Sequence, residues 1–159
     1  MTQTPLHVFQ FQVDFKTDSI GSDDTGTPFD VCSGAFAECT GLEATMEPKV
    51  IKEGGSNYGN AQRAGPITFA TVVLKRGIST DRGLWEIFNA ISSGMYAPRM
   101  QVTITLMDGC GDPAIGWQLD RAMPIKFKFG DLNAKGTEVG IEELHLVHEG
   151  ISSVSLDDD

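Results

Sequence analysis

Basic residues, aromatic residues and cysteine are all scarce in this sequence, and long apolar runs are missing. Twelve Lys and Arg against 22 Asp and Glu give the 159 residues a net charge of −10. That balance argues against a tightly held nucleic acid, because a phosphate backbone is bound mainly by Lys and Arg. No apolar run approaches the roughly 20 residues needed to span a bilayer, and the first residues lack the basic and apolar regions of a secretory signal. We therefore expect no stable nucleic-acid binding, no membrane anchor, and synthesis and assembly in the cytoplasm.

The groups that carry most enzyme chemistry are also poorly represented. The three cysteines, Cys32, Cys39 and Cys110, lack CxxC spacing and are expected to be reduced in a cytoplasmic protein. No serine lies in a GxSxG elbow. His145 and His148 are three residues apart, and on a strand such residues face opposite sides, so they cannot share a metal ion. The sequence therefore predicts a protein that is not an enzyme and that needs no cofactor and no metal.

Two glycine-rich segments invite interpretation as ligand sites. Residues 54–65 lack the GK[ST] ending of a phosphate-binding loop, and residues 108–112 lack the spacing and closing glutamate of a calcium loop. We predict a hairpin turn at 108–112. Residues 54–65 are too polar to bury in a monomer, and we predict that they form an extended loop reaching between subunits.

What the sequence does contain is glycine and short runs with strand periodicity. Its 18 Gly and 40% apolar content suit a β-rich chain with many turns. The predicted strands are 8–15, 36–42, 44–53, 67–75, 101–107 and two long strands between 117 and 151. We predict a single domain over residues 1–159, with an exposed loop at 17–30 and an acidic tail at 157–159.

One helix is expected, over about residues 81–93. Thr80 is a candidate N-cap and Gly94 a stop signal. The apolar stripe with helical spacing consists of Leu84, Ile87, Phe88 and Ile91. The element order then predicts a mainly β fold, an antiparallel β-sandwich or barrel with one helix packed on its outside.

The last two strands have features that are unusual in a free-standing sheet. Pro124 cannot donate a ladder hydrogen bond, so it belongs at an edge or a bulge. Glu142 and Glu143 point to opposite faces, so one of them should face inward or across a subunit boundary. The apolar phase shifts between Ile141 and Leu144, which requires a bulge or burial of both faces. These features predict a sheet that meets other copies of itself.

Seven motifs, in order along nearly the whole chain, resemble the tail tube protein family of contractile phages and contractile injection systems. They are FQVDF at 11–15, FAECTGL at 36–42, EGGxN at 53–57, LKRG at 74–77, a helix with Trp85, WxLxxAxP at 117–124 and IEELxLxHEG at 141–150. No single motif is specific, but their shared order makes the resemblance strong.

The resemblance implies a structural subunit of an inner tube. Its β-sandwich would form hexameric rings with a continuous lumenal β-barrel, and the rings would stack into a rigid tube inside a contractile sheath. Sheath, baseplate and tube-capping proteins would be partners, the lumen would carry protein effectors or DNA, and the particle would be extracellular, membrane-anchored or a virion. The residues expected at subunit contacts are Glu53, Gly54, Gly55, Asn57, Tyr58, Lys75, Arg76, Pro124, Glu142, Glu143, His148 and Glu149.

Three alternatives stay open at this point. The tube of a contractile phage would conduct DNA instead of protein, and a ring-forming carrier of the type VI kind shares the fold but less of the motif order. A solitary ligand-binding β-barrel would be a monomer with an apolar, pre-formed pocket. For a tube, the acidity of the chain suggests inward-facing carboxylates that let acidic cargo pass without adhering.

Overall fold

Short antiparallel strands dominate the structure, as the alternating runs predict. The computed structural model describes residues 11–17, 36–52, 54–55, 59–78, 80, 83–92 and 99–155. The elements are β1 (Phe11–Thr17), β2 (Glu38–Thr40), β3 (Ala44–Met46), β4 (Lys49–Ile51), β5 (Ala61–Arg63), β6 (Ile67–Phe69), β7 (Val72–Gly77), α1 (Gly83–Ser92), β8 (Met100–Met107), β9 (Pro113–Lys128), β10 (Ile141–Val147) and β11 (Gly150–Val154). The mainly β, antiparallel class with a helix is confirmed. Thr17, the first residue of the predicted loop at 17–30, belongs to β1. The rest of that loop and the tail at 157–159 lie outside the described residues.

The long strand β9 is shared by two antiparallel sheets. Its N-terminal half lies between β8 and β11, and β1 pairs with the other side of β8. Its C-terminal half pairs with β10, which is followed by β7 and then β2. We call β1, β8, β9 and β11 the first sheet, and β9, β10, β7 and β2 the second sheet.

The core is built from the inward faces of both sheets and from one stripe of α1. Leu84 and Ile87 of the helix are buried and Ile91 is partly buried, as the predicted stripe requires. The fourth predicted residue, Phe88, instead packs against the rings of Trp85 and Phe127. The strand residues that are fully buried are Val13, Val72, Leu74, Val102, Leu119, Ala122, Leu144 and Leu146. Because each buried aliphatic side chain of Val or Leu size contributes about 1.5–3 kcal/mol, this cluster holds the two sheets together.

Strand β9 passes from the first sheet to the second at a corner near Arg121, which has a φ of 51°. Opposite this corner the chain leaves β10 and enters β11 at Glu149. The N–H of Glu149 donates to the carbonyl of Asp120 at 3.0 Å. A second irregularity follows directly. His145 pairs with Lys126 but Leu146 pairs with Pro124, so Ile125 is an extra residue in β9. Pro124 was predicted to lie at an edge or a bulge, and it lies next to a bulge in the strand that both sheets share.

The predicted shift in apolar phase between Ile141 and Leu144 of β10 is not caused by a bulge within β10. Leu144 faces the core, whereas Ile141 lies on the opposite face and is 49% exposed. The bulge is on the partner strand and two residues further along. An apolar residue on the outer face, and not a change of register, therefore shifts the apparent phase.

Several predicted boundaries were wrong because the chain changes partners. The single strand at 67–75 is divided into β6 and β7, since the chain leaves β3 and joins β2 and β10 there. Likewise, 44–53 contains β3 and β4, and the last long strand is divided into β10 and β11. The predicted loop at 54–65 contains β5, which pairs with β4. Both faces of this ribbon are exposed, so it has no apolar alternation that sequence could reveal.

Candidate assembly surface

Residues 44–69 form an arm whose strands pair only with each other among the described strands. β3 pairs with β6 and β4 pairs with β5. Every residue of β3, β4 and β5 is exposed. A Cβ on Gly65 would lie 1.8 Å from the carbonyl oxygen of Glu47, so only glycine allows the two ribbons to follow one another this closely. A two-stranded ribbon on its own is marginally stable in water.

The arm presents an apolar face near its root and a basic face further out. Met46 and Ile67 pair across β3 and β6 and are 48% and 56% exposed. On the outer ribbon, Lys49 and Arg63 are direct ladder partners, next to the exposed Ile51. Like charges in directly opposed positions destabilise a ribbon. Neither cation forms an ion pair with another residue in the described part of the chain.

His148 connects the root of the arm to the corner between the sheets. Its ring lies 5.1 Å from the ring of Phe69, centroid to centroid. Its Nδ1 is 3.1 Å from the carbonyl oxygen of Gly150, so Nδ1 carries the proton and donates. The arm therefore starts from a packed aromatic contact, although its outer part is exposed.

Arg76 and Glu142 form an ion pair on the core side of the second sheet. They are direct partners on β7 and β10, and Nε of the arginine lies 3.0 Å from Oε2 of the glutamate. Their side chains are only 8% and 12% exposed. The guanidinium also lies 5.7 Å from the centroid of Phe36. The structure thus places both residues in contact with each other within one chain, and a contact with a neighbouring subunit stays a prediction.

Lys75 and Glu143 lie on the outer face of the same sheet, in a row of alternating charge. The row runs across four ladder positions as Glu38, Lys75, Glu143 and Lys128. Nζ of Lys75 is 4.0 Å from carboxylate oxygens of both glutamates. Nε2 of His145 lies 3.2 Å from Oε2 of Glu143. This hydrogen bond, followed by Lys128 and Lys75, outweighs partial burial and lowers the pKa of Glu143.

The lowered pKa of Glu143 predicts a loss of stability in acid. A carboxylate whose pKa is lower in the folded state stabilises the fold above its unfolded pKa, about 4.3 for glutamate, and that stabilisation is lost as pH falls through the folded value. Urea unfolding between about pH 3 and 7 should therefore show a shallow fall in midpoint on the acid side of 4.3. Glu143→Gln should reduce this fall of the urea midpoint in acid. Glu138→Gln, which removes an exposed carboxylate, should leave the fall unchanged. Equal slopes in both variants would contradict the assignment.

The remaining predicted contact residues lie apart from one another. Gly54 and Gly55 are at the exposed end of the arm, while Pro124 is buried at the bulge. Glu149 lies at the corner, where Oε2 is 2.8 Å from Nε of Arg121. Glu53, Asn57 and Tyr58 lie outside the described residues. The predicted set is therefore not one site but several places on the arm, the second sheet and the corner.

Sequence reasoning missed an aromatic patch beside α1, made of Trp85, Phe88, Phe127 and Phe129. Neighbouring ring centroids are 5.1 to 6.4 Å apart. Trp85 and Phe129 are 44% and 38% exposed. The available signal was the FKF sequence at 127–129, which places two rings on one side of an extended segment. The loop that follows exposes Leu132 and Val139 to 92% and 76%.

The chemistry of the described residues does not favour catalysis. A cavity of about 320 Å³ is lined by Phe11, Ala37, Glu38, Cys39, Leu42, Ile104, Leu106 and Trp117. Burial raises the pKa of Cys39 to about 11, so at neutral pH it is an unreactive thiol. Cys39 and Cys110 are both unpaired. Within the described ranges, no group of three His, Cys, Asp or Glu side chains could hold a metal ion, and no helix is long and apolar enough to cross a membrane.

The described strands thus form an antiparallel double sheet with a separately paired, exposed arm. The sequence model of the family described as T4-like virus tail tube protein gp19 matches residues 7–152. The chain belongs to this tail tube family. It is accordingly a structural protein and not an enzyme, as the sequence predicted.

Solved structures agree with this assignment. The chain is similar to one in the cryo-EM structure of the anti-feeding prophage baseplate, with 26% identity, a TM-score of 0.81, and coverage of 98% of this chain and 99% of that one. It shares the fold of a chain in the sheath–tube complex of an extracellular contractile injection system, at 17% identity, a TM-score of 0.73 and coverage of 96% and 93%. Hcp1 from Salmonella typhimurium has a related fold at 11% identity, a TM-score of 0.53 and coverage of 91% and 85%. No curated protein sequence matches the chain.

Proposed function

We propose that this chain is the subunit of the hollow inner tube of a contractile injection system. Copies assemble as hexameric rings, the rings stack into a tube, and contraction of a surrounding sheath drives the tube through a target envelope. The observation that carries this proposal is the exposed arm at 44–69, because exposed apolar residues concentrated in one place are typical of interaction surfaces. Membership of the chain in the tail tube family supports the proposal. The similar chain in the anti-feeding prophage baseplate comes from a particle described as 6-fold symmetrised.

The edges of the second sheet support assembly through strand pairing. Among the described strands, β2 pairs only with β7, and the C-terminal half of β9 pairs only with β10. Unpaired edges in a soluble protein promote aggregation unless they are covered. A ring in which the β9 edge of one copy pairs with the β2 edge of the next would remove both edges at once. Such a ring would build the continuous barrel that the family resemblance implies.

The tube so formed acts mechanically. It supplies a stiff hollow body, while the sheath supplies the motion and the baseplate and capping proteins close its ends. Similar chains are found in a sheath–tube complex and in a tube terminating cap, which supports these partners. Assembly would take place in the cytoplasm, and the finished particle would be extracellular, membrane-anchored or a virion.

Protein is the proposed cargo, and DNA is the second candidate. The likeness to the anti-feeding prophage and to an extracellular contractile injection system favours protein, whereas the family description names a virus. Nucleic acid recovered from intact, nuclease-treated particles would favour DNA. Proteins that are protected from protease in the same particles would favour an injection device.

The purified chain should form rings or tubes. Light scattering coupled to gel filtration should give the mass of a hexamer, and negative-stain microscopy should show rings with a central hole that lengthen into tubes as protein concentration rises. A mass equal to one chain at every concentration, without rings in the images, would overturn the proposal and favour a solitary binding domain.

A further inference from the structure

We propose that the outer face of the second sheet lines the channel of the tube, and that its alternating charges make the channel wall electrostatically neutral towards a polypeptide cargo. This inference rests on the proposed function, because it assigns the surface along which the cargo of such a tube moves. It differs from the acidic lumen that the composition of the chain suggests, and the retention of charged peptides distinguishes the two.

The second sheet is the layer that can close into a continuous barrel on the inside of a ring. Each copy contributes four strands to each sheet, and stacked sheets lie about 10 Å apart. The outer of two such layers has the larger circumference, so its strands part between copies while the inner layer stays continuous. In the ring proposed above, β9 of one copy pairs with β2 of the next, so the second sheet is the inner layer. The first sheet covers its core face, and the opposite face lines the channel.

The strands of this face carry nearly equal numbers of opposite charges. The row of alternating charge described above, here called the charge row, crosses the face from β2 to β9 as Glu38, Lys75, Glu143 and Lys128. Lys126 lies two residues before Lys128 and on the same face of β9. It pairs with His145 in the ladder and forms no ion pair with another described residue. The strands alone therefore hold three lysines and two glutamates.

The loop at 131–140 completes the balance of charge. Its residues line a cavity of about 590 Å³ together with Lys128 and Glu143, so the loop lies over the same face. It adds one cation and two acids, which are Lys135, Asp131 and Glu138. The face and its loop thus hold four cations and four acids.

Most of the excess acid of the chain lies elsewhere in the sequence. The net charge is −10, and residues 18–35 and 156–159 hold seven Asp and no Lys or Arg. Composition therefore indicates an acidic protein, but it does not indicate that the second sheet shares the acidity.

The charge row continues in alternation from one copy to the next. It begins with an acid on β2 and ends with a base on β9, the two strands whose free edges pair in the proposed ring. Lys128 of one copy then lies near Glu38 of the next, and opposite charges in facing positions stabilise a sheet. A ring therefore carries a closed belt of alternating charges around its channel.

Such a belt exerts little force on a passing chain. Neighbouring strands lie about 4.8 Å apart, so the fields of successive opposite charges cancel within a few ångströms of the wall. Segments of a polypeptide carry charge of either sign, and both pass this belt without strong attraction or repulsion. DNA carries one sign only, and an acidic wall would keep it from adhering. The balanced face therefore favours polypeptide as the cargo.

The retention of charged peptides tests the neutral wall. Tubes are assembled with one of two labelled, unstructured peptides of equal length, one rich in Glu and the other rich in Lys. Protease then removes peptide from the outside, and the protected label is counted. Natural tubes should protect both peptides to within about threefold, because a wall of one sign would concentrate the opposite charge by about tenfold or more. A tenfold preference for the Lys-rich peptide would show an acidic wall and overturn the proposal.

A pair of substitutions should give the wall a sign. Glu38→Gln with Glu143→Gln leaves the lysines of the charge row without acids, and should increase protection of the Glu-rich peptide by about tenfold. The control is Asp14→Asn with Glu86→Gln, which makes the same change of charge on β1 and α1 and should alter protection little. If the control changes the preference and the first pair does not, the first sheet faces the channel and the proposal fails.

Lysine labelling locates the wall in the natural chain and needs no variant. A small amine-reactive ester should modify Lys75, Lys126 and Lys128 in assembled tubes, whereas the same ester attached to a polymer too large to enter the channel should not. Lys16, on the outer face of the first sheet, should react with both reagents, and mass spectrometry of digested tubes measures each site. Equal modification of Lys126 and Lys16 by the polymer reagent would overturn the assignment of the face. If the natural chain forms no rings or tubes, the proposed function itself fails. If tubes form and these outcomes are not met, only the neutral wall is lost.

Discussion

Replacing Arg76 by alanine should lower the free energy of unfolding by about 3–5 kcal/mol, the usual cost of breaking a buried ion pair from one side. Glu142 would keep its charge among buried neighbours, since its side chain is only 12% exposed and its Oε2 lies 3.0 Å from the arginine Nε. The contact of the guanidinium with Phe36 would also be lost. The expected result is a fall of urea midpoint with an unchanged denaturant slope, measured at low protein concentration so that assembly does not contribute.

Two further variants show whether the unpaired charge is the cause. Arg76→Met with Glu142→Leu removes both charges and should recover most of the lost stability, because an apolar pair of similar volume often replaces a buried ion pair at little cost. Arg121→Ala breaks the half-exposed pair with Glu149 and should cost about 1 kcal/mol or less. A loss for Arg76→Ala as small as that for Arg121→Ala would contradict the buried role of the pair.

Gly41→Ala should be the most damaging change at the root of the arm. Gly41 has a φ of +92°, where a side chain costs roughly 1–3 kcal/mol. A Cβ there would also lie 2.1 Å from the carbonyl oxygen of Thr71, a backbone atom, so β7 and the arm would have to move. We expect a fall in melting temperature together with loss of ring formation, because the arm would leave its position.

Gly111→Ala separates the cost of a side chain at positive φ from the cost of a steric clash. Gly111 has a φ of +86°, but an added Cβ would meet no atom within 4 Å. It should show only the cost of the backbone conformation, and its rings should form normally. If the two alanine variants melt and assemble alike, the close approach of Gly41 to Thr71 has no structural importance.

Much of the double sheet could be predicted from the sequence, because its strands bury one face and expose the other. The alternation in β1 and β8 and the stripe of α1 are direct consequences of that burial. Pro124 indicated an edge or a bulge for an equally direct reason, the missing N–H. The arm could not be predicted, since β4 and β5 have no buried face. The β-branched run that contains β6 and β7 is continuous in sequence, so it predicts one strand. The chain nevertheless changes its partner strands within this run, and that change depends on residues far away in sequence.

The candidate contact residues were only partly predictable for a related reason. Glu142 and Glu143 were recognised as unusual, but their partners Arg76 and Lys75 are fixed by the pairing of β7 with β10, which composition does not reveal. The net charge of the chain likewise did not predict the balanced row from Glu38 to Lys128. The acidic lumen stays a prediction, because the side of the sheets that would face a lumen depends on the ring. The aromatic patch depends on contacts between α1 and the end of β9.

Strand β9 has a consequence for how the protein resists pulling. Because its 16 residues belong to both sheets, neither sheet can separate from the core without stretching a strand of the other. A force applied along the strand would load many ladder hydrogen bonds in shear at the same time, instead of opening them one after another from an end. The folded subunit should therefore yield as one unit at high force. Such a response would suit the proposed role of a tube subunit, which transmits the push of a contracting sheath.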